Sequence, residues 1–250
     1  MLTSFFAHGW ASTWERLAVA LTVTAGFALL ARGLRGVSRS GAWAGGLACF
    51  LLFAGAGPAA FVTLSALFVM TWVSTRLGHR QKLALGLAER REGRSAWQVW
   101  ANLAAASAGA VVFSATGRRA WLVATAAALA EAATDTVASE IGQSRGADAR
   151  LIISGKRVPA GTDGGITLPG SLAGLAAGLA IATVAAAGSM ISPAELSIPA
   201  VAGFAGMLFD SILGATLQRR GWISNQTVNL LATLVAAALA YGLLLARGIF

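Results

Sequence analysis

The sequence predicts an all-α, polytopic integral-membrane protein of about eight spans, with seven as the alternative count. Three observations lead there. Of 250 residues, 56% are hydrophobic and only 12% are charged, where a soluble domain carries about a quarter charged residues. The apolar residues gather into runs of roughly 20, long enough to cross a bilayer as helices. Fifteen of the 19 basic residues fall in alternate connections between those runs, the pattern that orients a membrane protein.

Helices are expected at about 15–31, 41–57, 59–77, 97–115, 119–138, 168–190, 196–217 and 226–246. The break at Gly55–Pro58 is the weakest, hence the seven-span alternative. Short connections fill the remainder, so 1–250 reads as one membrane domain. Met1 to Trp14 carries neither a basic n-region nor a cleavage signal and is not read as a signal peptide.

Arg32, Arg35 and Arg39 lie in the first connection, and Arg76, Arg80, Lys82, Arg90, Arg91 and Arg94 in the third. Arg145, Arg150, Lys156 and Arg157 lie in the fifth, and Arg219 and Arg220 in the seventh. Positive residues mark the cytoplasmic side, which puts both termini outside and places the chain in a bacterial inner membrane. Arg118-Arg119 is the discordant pair. The net charge of +9 is spread over these flanks, which suits lipid headgroups rather than nucleic acid. Trp10, Trp14, Trp72, Trp97, Trp100, Trp121 and Trp222 stand near span ends, as an interfacial belt requires.

Some residues carry structure and no chemistry. Gly170, Gly174 and Gly178 recur every fourth residue, as do Gly41 and Gly45, a spacing that lets helices approach closely in lipid. The lone Cys49 excludes an internal disulfide. His8 and His79 stand apart from other metal ligands, which argues against zinc.

Five polar clusters fall at the same ends of the spans, where ionisable groups are costly and point to function. Glu131, Asp135 and Ser139 are spaced to share a helical face, with Glu140 beside them. Neighbouring carboxylates repel in a dry site, and a divalent cation relieves that conflict. Mg²⁺ suits one or two carboxylates with phosphate oxygens and water. Asp135, Glu131 and Glu140 are therefore candidate metal ligands and catalytic residues, with Asp163 a further candidate metal ligand and Lys156 and Asp210 further candidate catalytic residues.

The stretch Gly161-Thr162-Asp163-Gly164-Gly165-Ile166-Thr167 precedes a helix, and its glycines permit close approach of backbone N–H groups to an anion. Lys156 and Arg157, just upstream, could neutralise phosphate. The plainer alternative is a flexible loop in which Asp163 or Thr167 caps the helix. Asp210, Gly214 and Gln218 share a face of the seventh span; Asp210 binds the same metal, pairs with Arg219 or stays protonated. Gln98/Asn102 and Asn225/Asn229 are amide pairs at span starts, fit for interhelical hydrogen bonds or for nucleotide and phosphate contacts.

These segments resemble one family. Thr134-Asp135-Thr136-Val137-Ala138-Ser139-Glu140-Ile141-Gly142 is similar to its Ala-Asp-Thr-x-Ala-Ser-Glu-Ile-Gly signature, and Val158-Pro159-Ala160-Gly161-Thr162-Asp163-Gly164-Gly165 to its second. Gln98 to Asn102, Asp210 to Gln218 and Val228-Asn229 resemble three more. The family is the integral-membrane group of domain of unknown function 92, which includes transmembrane protein 19 and the plant phytyl-phosphate kinase of vitamin E synthesis. The likeness runs from about Ser38 to Leu244. Thr134 stands where the family has Ala, and Leu103 where it has Gly; neither change removes a charge.

The resemblance implies a kinase that converts an isoprenoid monophosphate to its diphosphate, with CTP or another nucleoside triphosphate as donor. Phosphoryl transfer needs positioning and charge neutralisation more than a strong base, which agrees with motifs that lack histidine. Two alternatives stay open: a nucleotidyl transferase acting on a lipid phosphate, and a transporter or ion pathway. If the kinase reading holds, Asp135, Asp163 and Asp210 must share one pocket.

Overall fold

The computed structural model describes residues 13–87, 92–144 and 149–247. His8, Trp10, Arg90, Arg91 and Arg145 lie outside them. Among the described residues nine α-helices run in chain order: α1 Thr13–Gly33, α2 Arg39–Ala56, α3 Pro58–Arg76, α4 His79–Ala84, α5 Ala96–Thr116, α6 Ala120–Ser144, α7 Leu168–Ala187, α8 Ser197–Leu213 and α9 Asn225–Ala246. The eight expected spans correspond to the eight long helices, within a few residues at most ends. Among the described residues six segments are long and apolar enough to cross a membrane: α1, α3, α5, α7, α9 and the stretch Pro193–Gln218 that contains α8.

α6 is not among those six, and its surroundings explain why. It packs against α3, α4, α5, α7, α8 and α9, so it meets protein where the others meet lipid. Ala126, Ala127, Ala128, Ala130 and Ala133 are fully buried on it. Small side chains bring neighbouring backbones close, the usual source of helix association in lipid. The glycine spacing on α7 serves the same contact: a Cβ on Gly174 would fall 2.7 Å from the Thr134 carbonyl oxygen, and one on Gly170 2.5 Å from that of Ala138. Outward faces carry large apolar side chains, among them Leu29, Trp43, Leu172 and Val201.

Four helices start with a hydroxyl cap. Ser38 Oγ accepts from Gly41 N–H at 3.1 Å, Ser95 Oγ from Gln98 N–H at 3.5 Å, Thr167 Oγ1 from Gly170 N–H at 3.1 Å and Ser224 Oγ from Thr227 N–H at 3.2 Å. Each satisfies a donor that the first turn leaves open. The discordant Arg119 also has a role, for its guanidinium pairs with the buried carboxylate of Glu195 at 3.6 Å.

Two local features were not expected. The α6–α7 connection folds into a three-stranded antiparallel sheet, with β1 (Ala149–Leu151) between β2 (Arg157–Val158) and β3 (Gly165–Ile166). Strands of two or three residues are too short to show an alternating pattern. The second feature is a π-helical turn at Gly214–Gln218, which continues α8; such turns recur at functional sites.

Candidate functional site

The end of α6, the small sheet, the start of α7, the π turn and the start of α9 enclose a polar cavity of about 140 Å³. Asp135 enters from α6, Asp163 from the glycine turn and Asp210 from α8. Ser139, Gly161, Thr162, Gly164, Gly165, Thr167, Gln218 and Asn225, all named from the sequence, also line it. The charges of Asp135 and Asp163 both act on Asp210. No basic side chain of the described residues lines the cavity.

The convergence has a local cause. Gly164 stands at φ 73°, and a Cβ there would fall 2.4 Å from the Ala215 backbone nitrogen. Only glycine permits both the left-handed turn and that approach. The turn therefore docks on the π turn, which brings Asp163 beside Gln218. Partial loss of water raises the Asp163 carboxyl above its ordinary range, while the Gln218 hydrogen bond and the Arg219 charge pull it back. Thr167 caps α7 and its residue lines the cavity as well, so the helix start, with its partial positive charge, adjoins the three acids.

The acids bear on a metal in a specific way. Among the described residues no three of His, Cys, Asp and Glu are grouped to hold an ion alone. Three carboxylates without a basic neighbour in the lining would repel a phosphate unless a cation lay between them. Two protein carboxylates with phosphate oxygens complete the shell that Mg²⁺ prefers. Glu131 lies behind this group, fully buried on α6, with both carboxyl oxygens lacking a hydrogen-bond partner. Asp135 and Asp210 are close enough to act on it electrostatically.

Several expected residues are placed elsewhere. The Glu140 carboxylate does not line this cavity; it forms an ion pair with Lys82 of α4 and accepts from Thr75 Oγ1 at 3.2 Å. Lys82 is 1% exposed and also donates to the Thr75 carbonyl at 2.8 Å. Lys156 and Arg157 are exposed on the β1–β2 hairpin, outside the cavity lining. Gln98 closes the capping box of α5, its Oε1 accepting from Ser95 N–H at 2.9 Å. Asn102 Nδ2 donates to the Gln98 carbonyl at 2.9 Å, and its residue lines a second, larger cavity. Asn229 lies half-buried one turn beyond Asn225, engaged by its neighbours.

Arg94 was not expected at the site. Its backbone is fixed to the α1–α2 connection: Arg94 N–H donates to Gly36 O at 3.1 Å, and Ser38 N–H donates to Arg94 O at 3.0 Å. Gly41 makes room, since a Cβ there would fall 2.1 Å from Arg94 O. The Arg94 guanidinium donates to Thr136 Oγ1 at 3.4 Å and its charge acts on Asp135. The available signal was its position immediately before the Ser95 cap of a motif-bearing helix. Lys82 carried no such mark within its run of basic residues.

Comparisons with known proteins agree with this architecture. The model of the integral membrane protein family DUF92 matches residues 22–237. An uncharacterized membrane protein of Synechocystis sp. is 34% identical over 198 residues, 77% of this chain and 77% of its own length. Protein VTE6, chloroplastic, of Arabidopsis thaliana is 33% identical over 209 residues, 78% of this chain and 62% of its own. An uncharacterized membrane protein of Methanocaldococcus jannaschii is 30% identical over 223 residues, 88% and 91% respectively. No solved structure matches the chain. With most of its length matched by the family model and by these relatives, the chain belongs to the DUF92 family of integral membrane proteins.

Proposed function

We propose that the chain transfers the terminal phosphoryl group of a nucleoside triphosphate, CTP first among them, to an isoprenoid monophosphate at the cytoplasmic membrane face. The observation that carries this reading is the meeting of Asp135, Asp163 and Asp210 in one cavity against a glycine turn and a helix start. The class of substrate comes from the likeness of the signature segments to the phytyl-phosphate kinase family.

In this reading, the donor phosphates lie against the Gly161–Gly165 turn, held by backbone N–H groups other than those of Thr162 and Gly165, which bond to Pro159 O and Thr162 O, with the positive end of the α7 dipole beside them. Asp135 and Asp210 would hold Mg²⁺, with Asp163 in the same cavity. When bound, the ion offsets phosphate charge and orients the donor. Arg94, fixed beside Asp135, takes the neutralising role that sequence alone assigned to Lys156 or Arg157. An oxygen of the acceptor phosphate bonds to the terminal phosphorus while the bridging bond of the donor breaks and the nucleoside diphosphate leaves. The acceptor oxygen is already anionic near neutral pH, so no general base is needed. Glu140 holds α4 to α6 through Lys82.

Purified protein given phytyl monophosphate and nucleotide labelled in its terminal phosphate or, in a parallel reaction, in its α-phosphate tests this. Label in phytyl diphosphate is expected. Incorporation of label only from the α-phosphate, with pyrophosphate release, would identify a nucleotidyl transferase. Flux across proteoliposomes without any transfer would identify a transporter.

A further inference from the structure

The second cavity is the larger, about 460 Å³, and its chemistry is divided along its length. Its deep wall is apolar, with Phe27, Ala28, Leu64, Leu67 and Phe68 from α1 and α3. Its rim carries Arg35, Arg76, His79 and Arg94. From Arg76 to Leu64 is twelve residues along α3, a depth of about 18 Å. That exceeds half of a hydrocarbon layer about 30 Å thick. The volume falls within the range of about 300–1,000 Å³ common to small-molecule sites.

The rim is built rather than incidental. Arg35 ends α1 at φ 55°, with Gly36 N–H donating to Ala31 O at 3.0 Å. This left-handed position is usually given to glycine. An arginine there bears a backbone strain that a simple turn has no need of. Arg76 lies over the Trp72 ring at 3.9 Å and donates to Leu34 O at 2.8 Å, fixing its guanidinium beside Arg35's helix end. Arg94 lines this cavity while its charge acts on Asp135, which lines the polar one. The two cavities therefore adjoin across Arg94 and the Asp135 turn of α6.

We propose that this large cavity is the acceptor site, holding a single isoprenoid chain between α1 and α3 with its monophosphate at Arg35, Arg76 and Arg94. An apolar interior with a cationic rim matches a lipid phosphate along its whole length, whereas a free phosphate uses the rim alone. The phosphate is then presented at Arg94, on the side of α6 that carries Asp135. The assignment rests on the phosphotransfer reading for the identity of the head group, and the site can be tested without turnover.

The test uses the full chain in nanodiscs of zwitterionic lipid, without nucleotide. Binding is measured for phytyl monophosphate, phytol and inorganic phosphate, and a phytyl monophosphate with a terminal diazirine maps the contact. Expected results are crosslinks on α1 and α3, weaker binding of phytol by about tenfold or more, and no competition by inorganic phosphate at matched concentration. Arg35→Gln, at an exposed position, and Ala28→Leu, which narrows the apolar wall, should each lower affinity about tenfold. A CTP analogue should bind both variants as it binds the parent. If Ala28→Leu fails to fold, Arg35→Gln and the crosslinks decide. Crosslinks confined to α7, α8 or α9, unchanged affinity in Arg35→Gln, or equal competition by inorganic phosphate would overturn the assignment. Crosslinks on α1 and α3 without any label transfer would preserve it and remove the kinase reading; transfer with unchanged affinity in the variants would do the reverse.

Discussion

At the scale of single residues, the site depends on charge held where charge is costly. Asp135 and Asp210 face one cavity without a basic side chain in its lining, so each should matter through its charge and not its shape. Asp135→Asn and Asp210→Asn should each reduce transfer by about 100-fold or more, with the protein still folded. Retained turnover in both would remove them from the chemistry. Asp163 allows a pH test. Its carboxyl is raised by partial loss of water and lowered by Gln218 and Arg219, and its ionised form is the one that helps a cation. Activity should therefore fall as pH drops through this raised value. Gln218→Leu removes a lowering influence, so the acid limb of the rate profile should move to higher pH. An unmoved limb would mean that another group sets it. Glu140 makes the contrasting case, since its partner Lys82 is 1% exposed. Glu140→Gln leaves that buried ammonium without its counter-ion and should cost about 3–5 kcal/mol. Adding Lys82→Met should restore both stability and activity. Activity still absent in a restored fold would return Glu140 to the site.

At the scale of elements, capping and close approach put these residues in place. Thr167 caps α7 through Gly170 N–H, and Thr167→Ala should cost about 1 kcal/mol, read as earlier thermal inactivation. Unchanged inactivation would show that the packing of Gly170 and Gly174 against α6 suffices. The helices themselves were legible, because long apolar runs with basic flanks leave little choice. The acids were legible for the same reason: Asp135 and Asp210 interrupt apolar runs. What the sequence hid were contacts made across long separations. Glu140 meets Lys82, 58 residues earlier, and local spacing could assign it only to its own helix. Arg94 reaches Thr136, 42 residues later, and looked like one more basic flank. The sheet and the π turn escaped because each is only a few residues long and is set by how the glycine turn packs on Ala215.

At the scale of the whole molecule, one end of the bundle gathers the polar cavity, the basic rim and four capped helix starts, while the flanks present apolar side chains to lipid. The account therefore needs the α6–α7 connection and the α8 end on one membrane side. Thr162→Cys and Gln218→Cys, made in separate chains, should both react with an impermeant maleimide from the cytoplasmic side, with the buried Cys49 silent. Labelling from opposite sides would break the arrangement. Such a layout lets a membrane-held acceptor and a water-borne donor meet at one boundary. In the proposed reaction, that meeting would need a divalent cation between the acidic side chains and the donor phosphates. The direct measurement is Mn²⁺ binding, followed by electron paramagnetic resonance, with a non-hydrolysable CTP analogue present. The account predicts a tight Mn²⁺ that appears only with the nucleotide and is lost in Asp135→Asn and in Asp210→Asn; equal binding in the parent and both variants would contradict it.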